Sequence, residues 1–256
     1  MLERDYCVAW FLAELAESEL RRSLAFKGGT ALKRCYFGDY RFSEDLDFTL
    51  IVPLPFEEIR QRLESVYAAV RQACAIEFTF DREDRHSHAN SHPFYLRYVG
   101  PLPAGGSVKV DITIREEIVF PLESRPVLRA YDEFSDLPDG RVVQAYSLAE
   151  TAAEKVLALA DRARNEPRDL YDLWYLISRE SIDLAELMPA MSAKLGVRQH
   201  EAAGIQEAIL KKEARLKALW SARLANQMAV LPPFDKVFRE LRRALRQANP
   251  RRAPAG

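Results

Sequence analysis

Cysteine is scarce in this chain. Cys7, Cys35 and Cys74 are odd in number and form no Cys-x-x-Cys pair. A disulfide scaffold and a thiolate zinc site are therefore not indicated, and the three read as reduced, buried thiols of a cytoplasmic protein. Long apolar runs are missing as well: no stretch of about 18 apolar residues occurs, so no membrane-spanning helix is expected. Residues 1–18 carry acids inside their apolar stretch and lack a small-residue cleavage pattern, so a signal peptide is not expected there. Internal repeats are absent, and the one biased segment is a Pro/Arg/Ala tail after Asn249.

What remains is ordinary material for a folded core. With 256 residues, 48% apolar and 29% charged, the chain suits one large domain or two modest ones. Its formal net charge is only −1, but the charge is unevenly spread. From Lys211 onward, twelve basic residues, among them Arg239, Arg242, Arg243 and Arg246, face only Glu213, Asp235 and Glu240. Such an excess suits a polyanionic partner, and it equally suits a solvated helix face with a frayed tail.

Periodicity divides the chain near residue 145. Residues 7–24 carry apolar positions at helical spacing with Arg21 and Arg22 in the last turn, and a second short helix is expected from Thr30 to Tyr36. The run DLDFTLIV (45–52) alternates and then turns apolar, as a strand entering a core does, until Pro53 and Pro55 end it. Residues 56–74 place Phe56, Ile59, Leu63, Val66 and Val70 on one helical stripe. A β-meander follows in IEFTFDRE, FYLRYVG and SVKVDITIRE, and two shorter strands are expected near PVLRAY (126–131) and RVVQAY (141–146). From Ser147 the pattern is helical throughout, opened by a Ser147/Glu150 capping box. The expected architecture is α+β: a mixed β-sheet core with flanking helices over 1–145, then a helical domain over 146–256.

Strand alternation carries the chemistry. Asp45, Asp47 and Thr49 share one strand face, and Lys109, Asp111 and Thr113 share another. If the two strands are neighbours, three carboxylates converge on one patch. Such a patch repels itself unless a cation occupies it, and hard oxygen ligands on a rigid sheet suit Mg²⁺. The plain alternative is a solvated strand face. Just upstream, Gly28-Gly29 enters a helix, which lets backbone N–H groups approach an anion. A phosphate cradle followed by an acidic pair is a layout for phosphoryl or nucleotidyl transfer. His86, His88 and His92 lie in a loop whose loose spacing and lack of cysteine argue against zinc. Lys109 suits a phosphate contact or a pairing with Asp111.

The string Gly28-Gly29-Thr30-Ala31-Leu32, followed by Arg41-Phe42-Ser43-Glu44-Asp45-Leu46-Asp47-Phe48, resembles the signature of the AbiEii/AbiGii-type nucleotidyltransferase toxins. These belong to the DNA polymerase beta-like nucleotidyltransferase superfamily. A second block, Glu154-Lys155 with Arg162 and then Arg168-Asp169-Leu170-Tyr171-Asp172-Leu173, extends the resemblance, which spans roughly residues 26 to 175. The resemblance implies that Asp45 and Asp47 bind metal and that Asp111 is a third carboxylate able to deprotonate an attacking hydroxyl. It further implies that Gly28, Gly29, Thr30 and Ser43 meet the nucleotide phosphates. For Ser43 the alternative is a turn residue capping its own backbone.

In the second block, Lys155, Leu159 and Arg162 recur at i, i+4 and i+7, so Lys155 and Arg162 are expected on one helix face. Lys155 would be a cation closing on the phosphates, oriented by Asp172, or else a surface lysine with a buried stem. Arg168 and Asp169 would form a helix-end ion pair.

The expected activity is Mg²⁺-dependent transfer of a nucleoside monophosphate from a nucleoside triphosphate to a hydroxyl. The resemblance implies a toxin of a toxin–antitoxin pair, a tRNA 3′ end as acceptor, and a cognate antitoxin as partner. An aminoglycoside-like small molecule or a protein hydroxyl is an alternative acceptor, and a catalytically silent nucleic-acid-binding module is the alternative of another class.

Overall fold

A computed structural model of the chain describes residues 2–85, 90–198 and 204–248. The chain divides into two compact units, Met1–Glu116 with Leu122–Tyr146, and Glu117–Pro121 with Ser147–Gly256. Among the described residues, no helix is long and apolar enough to cross a membrane.

The first unit opens with α1 (Leu2–Leu15) and a 3-10 turn (Glu19–Arg22), then β1 (Leu24–Lys27). The helix expected over 7–24 therefore stops at Leu15. Arg21 caps it from the 3-10 turn, donating from Nη1 to the Ala16 carbonyl at 3.2 Å. Leu24, Ala25 and Phe26 are all buried, at 4%, 0% and 0% exposure. A short apolar run covered on both faces has no period that separates strand from helix, and pairing between two other strands decides the matter.

Next come α2 (Gly28–Ala31), which runs into a π-helical turn (Leu32–Tyr36), then β2 (Leu46–Leu50) and α3 (Phe56–Cys74). The π turn directs both Lys33 and Arg34 inward onto the buried Asp5 of α1. Arg34 pairs with the Asp5 carboxylate and donates from Nη2 to its carbonyl at 2.7 Å. Lys33 Nζ lies 3.7 Å from Asp5 Oδ2, with the rings of Phe42 and Tyr131 at 5.0 and 4.9 Å. Burial pulls the Lys33 ammonium below its ordinary pKa, against the opposing pull of Asp5. This ion group ties the Gly28-Gly29 segment to α1.

The meander is β3 (Glu77–Glu83), β4 (Ser91–Val99) and β5 (Gly106–Thr113), followed by β6 (Leu122–Pro126) and β7 (Val142–Tyr146). β6 lies four residues before the strand expected at 126–131. Its pairing with β7 ends at Pro126↔Val142, and Ala130, at φ 66°, is incompatible with an extended strand there. The seven strands form one mixed sheet in the order β3-β4-β5-β2-β1-β7-β6. β2–β5 and β1–β7 are parallel pairs, and the other neighbours are antiparallel. Phe26, Phe48, Phe94, Val110 and Ile112 turn toward the core that α1 and α3 share. Full burial of such a side chain contributes about 1.5–3 kcal/mol.

The second unit is helical: α4 (Leu148–Ala160), α5 (Pro167–Arg179), α6 (Leu184–Arg198), α7 (Ile205–Leu210), α8 (Glu213–Leu224) and α9 (Phe234–Ala248). Ser147 caps α4 by accepting the Glu150 N–H at 3.2 Å. The Glu150 carboxylate does not complete a capping box. It accepts from the Val119 and Phe120 N–H groups at 3.0 and 2.9 Å and pairs with buried Lys194 at 2.6 Å, which anchors segment 117–121 to this unit.

Candidate active site

The outer face of the first unit's sheet carries a polar row. Register pairs Lys27 of β1 with Asp47 of β2, and Asp47 with Asp111 of β5. Directly paired residues project to the same side, so Lys27, Asp47 and Asp111 stand abreast. The face is solvated only in part, with Asp47 and Asp111 half-buried. Thr49, next along β2, is 1% exposed and its hydroxyl lies 2.6 Å from the Tyr146 hydroxyl.

Two glycines allow this row to be approached by the chain itself. Gly28 adopts φ +80°, the left-handed region that glycine tolerates, and a Cβ there would come within 2.6 Å of Asp47 Oδ2. A Cβ on Gly29 would meet Arg41 Nη2 at 2.5 Å and Ser43 Oγ at 2.9 Å. The close approach seen here is thus of Asp47, Arg41 and Ser43 to the glycine backbone. Arg41 was not singled out from the sequence. It is 3% exposed and donates from Nη1 to the Phe42 carbonyl at 3.0 Å. Thr30, fully buried, donates its hydroxyl to the Asp45 carbonyl at 2.5 Å, and its Oγ1 lies 3.0 Å from Ser43 Oγ. Thr30 and Ser43 therefore brace the loop that delivers Asp45 and Asp47.

Asp45 precedes the first residue of β2, so the strand register aligns two of the three expected carboxylates and not the third. Among the described residues, no group of three or more His, Cys, Asp or Glu side chains stands ready to hold a metal ion. The pair nevertheless fits a hard cation. Among the described residues, Asp111 Oδ1, buried directly beside Asp47, has no hydrogen-bond partner. Mg²⁺ is commonly held by one or two carboxylates, its other positions being filled by water and substrate phosphates.

Lys27 is the residue that sequence reasoning missed. Its ammonium donates to Thr113 Oγ1 at 2.9 Å, lies 3.8 Å from Glu116 and sits 5.7 Å from the Tyr146 ring centre. It was hidden because its place in the row depends on β1 being a strand. Lys109 neither pairs with Asp111 nor stands unpaired: it forms an ion pair with Asp84 at 3.1 Å. His86 and His88 lie outside the described residues. His92 stacks on Phe56 at 4.5 Å, and burial pulls its pKa down against the raising influence of Glu83 and Asp111.

The second unit holds its own ionic cluster. Lys155 Nζ lies 2.8 Å from both Asp169 Oδ1 and Asp172 Oδ2, and Asp169 also accepts from Arg164 Nε at 2.6 Å. Lys155 is buried, not a surface lysine, and Asp169 and Asp172 are 2% and 0% exposed. Burial alone would push the Asp169 carboxyl up, but Lys155 and Arg164 together hold it below the ordinary carboxylate range. Arg168 pairs with Glu166 at 3.7 Å, not with Asp169. Arg162 lies beyond the end of α4 at Ala160 and is exposed, so the shared helix face with Lys155 is not formed. Lys212 closes the turn after α4, donating to the Asp161 and Arg164 carbonyls.

Comparison with known proteins finds a family and similar solved structures. The profile of a family described as nucleotidyl transferase AbiEii toxin, of a type IV TA system, matches residues 10–244. The fold is similar to that of MenT4, a nucleotidyltransferase toxin from Mycobacterium tuberculosis H37Rv, with a TM-score of 0.62 and 20% identity over 96% of this chain and 82% of that one. At that identity the likeness speaks for the fold. No curated protein matches the chain at a significant level.

Proposed function

The chain belongs to the AbiEii family of nucleotidyl transferase toxins, and from that premise we propose that it moves a nucleoside monophosphate from a nucleoside triphosphate to the 3′ hydroxyl of an RNA, with a tRNA acceptor end as the substrate. A cognate antitoxin would restrain it, and the setting would be cytoplasmic. The observation that carries this reading is the abreast arrangement of Lys27, Asp47 and Asp111 beside the Gly28-Gly29 turn.

Each residue has a chemical task in this account. Asp47 and Asp111, with Asp45 joining from the loop, would hold Mg²⁺, which when bound polarises phosphate oxygens and offsets the charge on departing pyrophosphate. Asp111, partly buried beside another carboxylate, suits the acceptance of the proton of the attacking 3′ hydroxyl. Lys27 supplies fixed positive charge on the same row and limits repulsion between the acids. Gly28 and Gly29 keep backbone and row close, and Ser43 is placed to donate to a phosphate while Thr30 braces its loop. Lys155, oriented by Asp172, is assigned to the triphosphate, with Arg162 as a second phosphate contact. On this reading residues 1–145 form the catalytic domain and 146–256 a domain contributing nucleotide and acceptor contacts.

The test is incubation of the protein with each α-phosphate-labelled nucleoside triphosphate, total cellular RNA and Mg²⁺, followed by gel separation. Label is expected in RNA of tRNA size from one or a few of the nucleotides. Label in no RNA but in protein or a small molecule would refute the acceptor, and label nowhere would refute the transfer.

A further inference from the structure

The outer face of α9 is an arginine surface that the transfer chemistry does not use. Arg239, Arg242, Arg243 and Arg246 fall within about 100° of helix circumference at 100° per residue. With Gln247 they line a depression of about 400 Å³ that, among the described residues, includes no acidic side chain. The opposite face is fixed: Phe234, Val237, Phe238, Leu241 and Leu245 are buried. The side chains of Arg239, Arg243 and Arg246 are therefore held outward by the packing of the helix and not by chance. Arg242 is oriented further by Glu213 of α8, at 2.5 Å, and by the Phe238 ring 5.3 Å from its guanidinium carbon.

Three lysines of this unit are already engaged. Lys211 pairs with Glu207 at 2.7 Å, Lys217 with Asp235 at 2.7 Å, and Lys212 is buried at the end of α4. The acids nearest the α9 arginines are engaged: Asp235 pairs with Lys217, Glu240 accepts from Trp174 Nε1, and Glu213 pairs with Arg242. The cations of α9 are four arginines with Lys236 one turn before Arg239. Guanidinium forks match phosphate oxygens two at a time, which suits a chain of phosphodiesters presented at regular intervals.

We propose that this face of α9 grips the phosphodiester backbone of RNA, without reading its sequence. The inference rests on the RNA-acceptor reading for its purpose, but its mechanism is independent of catalysis: phosphate contacts supply sequence-independent affinity by releasing counterions.

The experiment measures binding of a fluorescent 24-nucleotide single-stranded RNA to the full chain by anisotropy, without nucleotide, from 50 to 300 mM salt. The main variant is R239Q/R243Q/R246Q, which spares the Arg242–Glu213 pair. A control, K211Q/K217Q/R223Q, removes equal charge from α8 and the residue just after α7. Three lost contacts should reduce the slope of log affinity against log salt by about 2. The control should change it by less than half as much. Equal effects of both variants, an unchanged slope in the first, or competition by polyglutamate as effective as by RNA would overturn the proposal. If the wild type transfers label to RNA yet R239Q/R243Q/R246Q binds RNA with an unchanged slope, the α9 proposal fails alone. If RNA binding behaves as expected but no label is transferred, the transfer reading fails and the α9 proposal stands.

Discussion

Removing Lys155 takes an ion-pair partner from buried Asp169 and Asp172, while Arg164 stays paired with Asp169. Breaking a buried ion pair by deleting one partner costs about 3–5 kcal/mol, so Lys155→Met should lower the urea midpoint markedly. The double variant K155M/D172N removes the uncompensated charge and should recover most of that stability. If Lys155 contacts the triphosphate, transfer activity stays lost in the double variant. Recovery of activity along with stability would make Lys155 an ion-pair partner only. Asp169 adds a pH dependence of known sign. Its pKa in the fold is depressed from 3.8, so its contribution is present above that value and is lost as pH falls through the lower, folded value. Denaturant titrations should show a smaller loss of stability below pH 3.8 in Asp169→Asn than in the wild type, and parallel curves would contradict the pairing. Asp47 and Asp111 were legible in the sequence because a period of two names the face of each strand. Lys27 and Arg41 were not, since their places depend on β1 and on the space above Gly29, which only the assembled sheet defines.

At the level of elements, the turn from β1 into α2 is the most sensitive join. Gly28→Ala meets two obstacles, a left-handed φ of +80° and Asp47 Oδ2 at 2.6 Å from the new methyl. The first costs about 1–2 kcal/mol, and the second displaces a row carboxylate, for which a loss on the order of 100-fold in transfer rate is expected. Gly140→Ala is the matched control, with φ +77° and nothing within 4 Å of its Cβ. It should lose comparable stability in a thermal melt and keep its transfer rate. Equal rates in the two variants would show that Asp47 is not positioned by this turn. Elements with one wet face, such as α3 and the β3–β5 meander, were readable from periodicity because burial alternates along them. β1 escaped because it is apolar and only four residues long, and the strand expected at 126–131 was misplaced because its limits are set by pairing with β7. Glu150 shows the same limit: local spacing proposed a capping box, and Lys194, forty-four positions away, helps to draw the carboxylate elsewhere.

For the whole chain, the α/β half and the change to helix at Ser147 followed from pattern, while the parallel pairings of the sheet and the attachment of segment 117–121 to the helical unit had no sequence signal. The family assignment gives the reaction class, and the sheet supplies the residues on which the account depends. Its central claim is that Asp47 and Asp111 act together on the outer face of that sheet. The most direct measurement is label transfer from the preferred nucleoside triphosphate by Asp47→Asn and Asp111→Asn, each with its thermal midpoint recorded without metal. Because like charges directly opposite each other on neighbouring strands destabilise a sheet, neither midpoint should fall below that of the wild type. Transfer should drop on the order of 100- to 10,000-fold in Asp111→Asn, the range associated with loss of a positioned base, and at least as far in Asp47→Asn. Wild-type transfer in either folded variant would contradict the account.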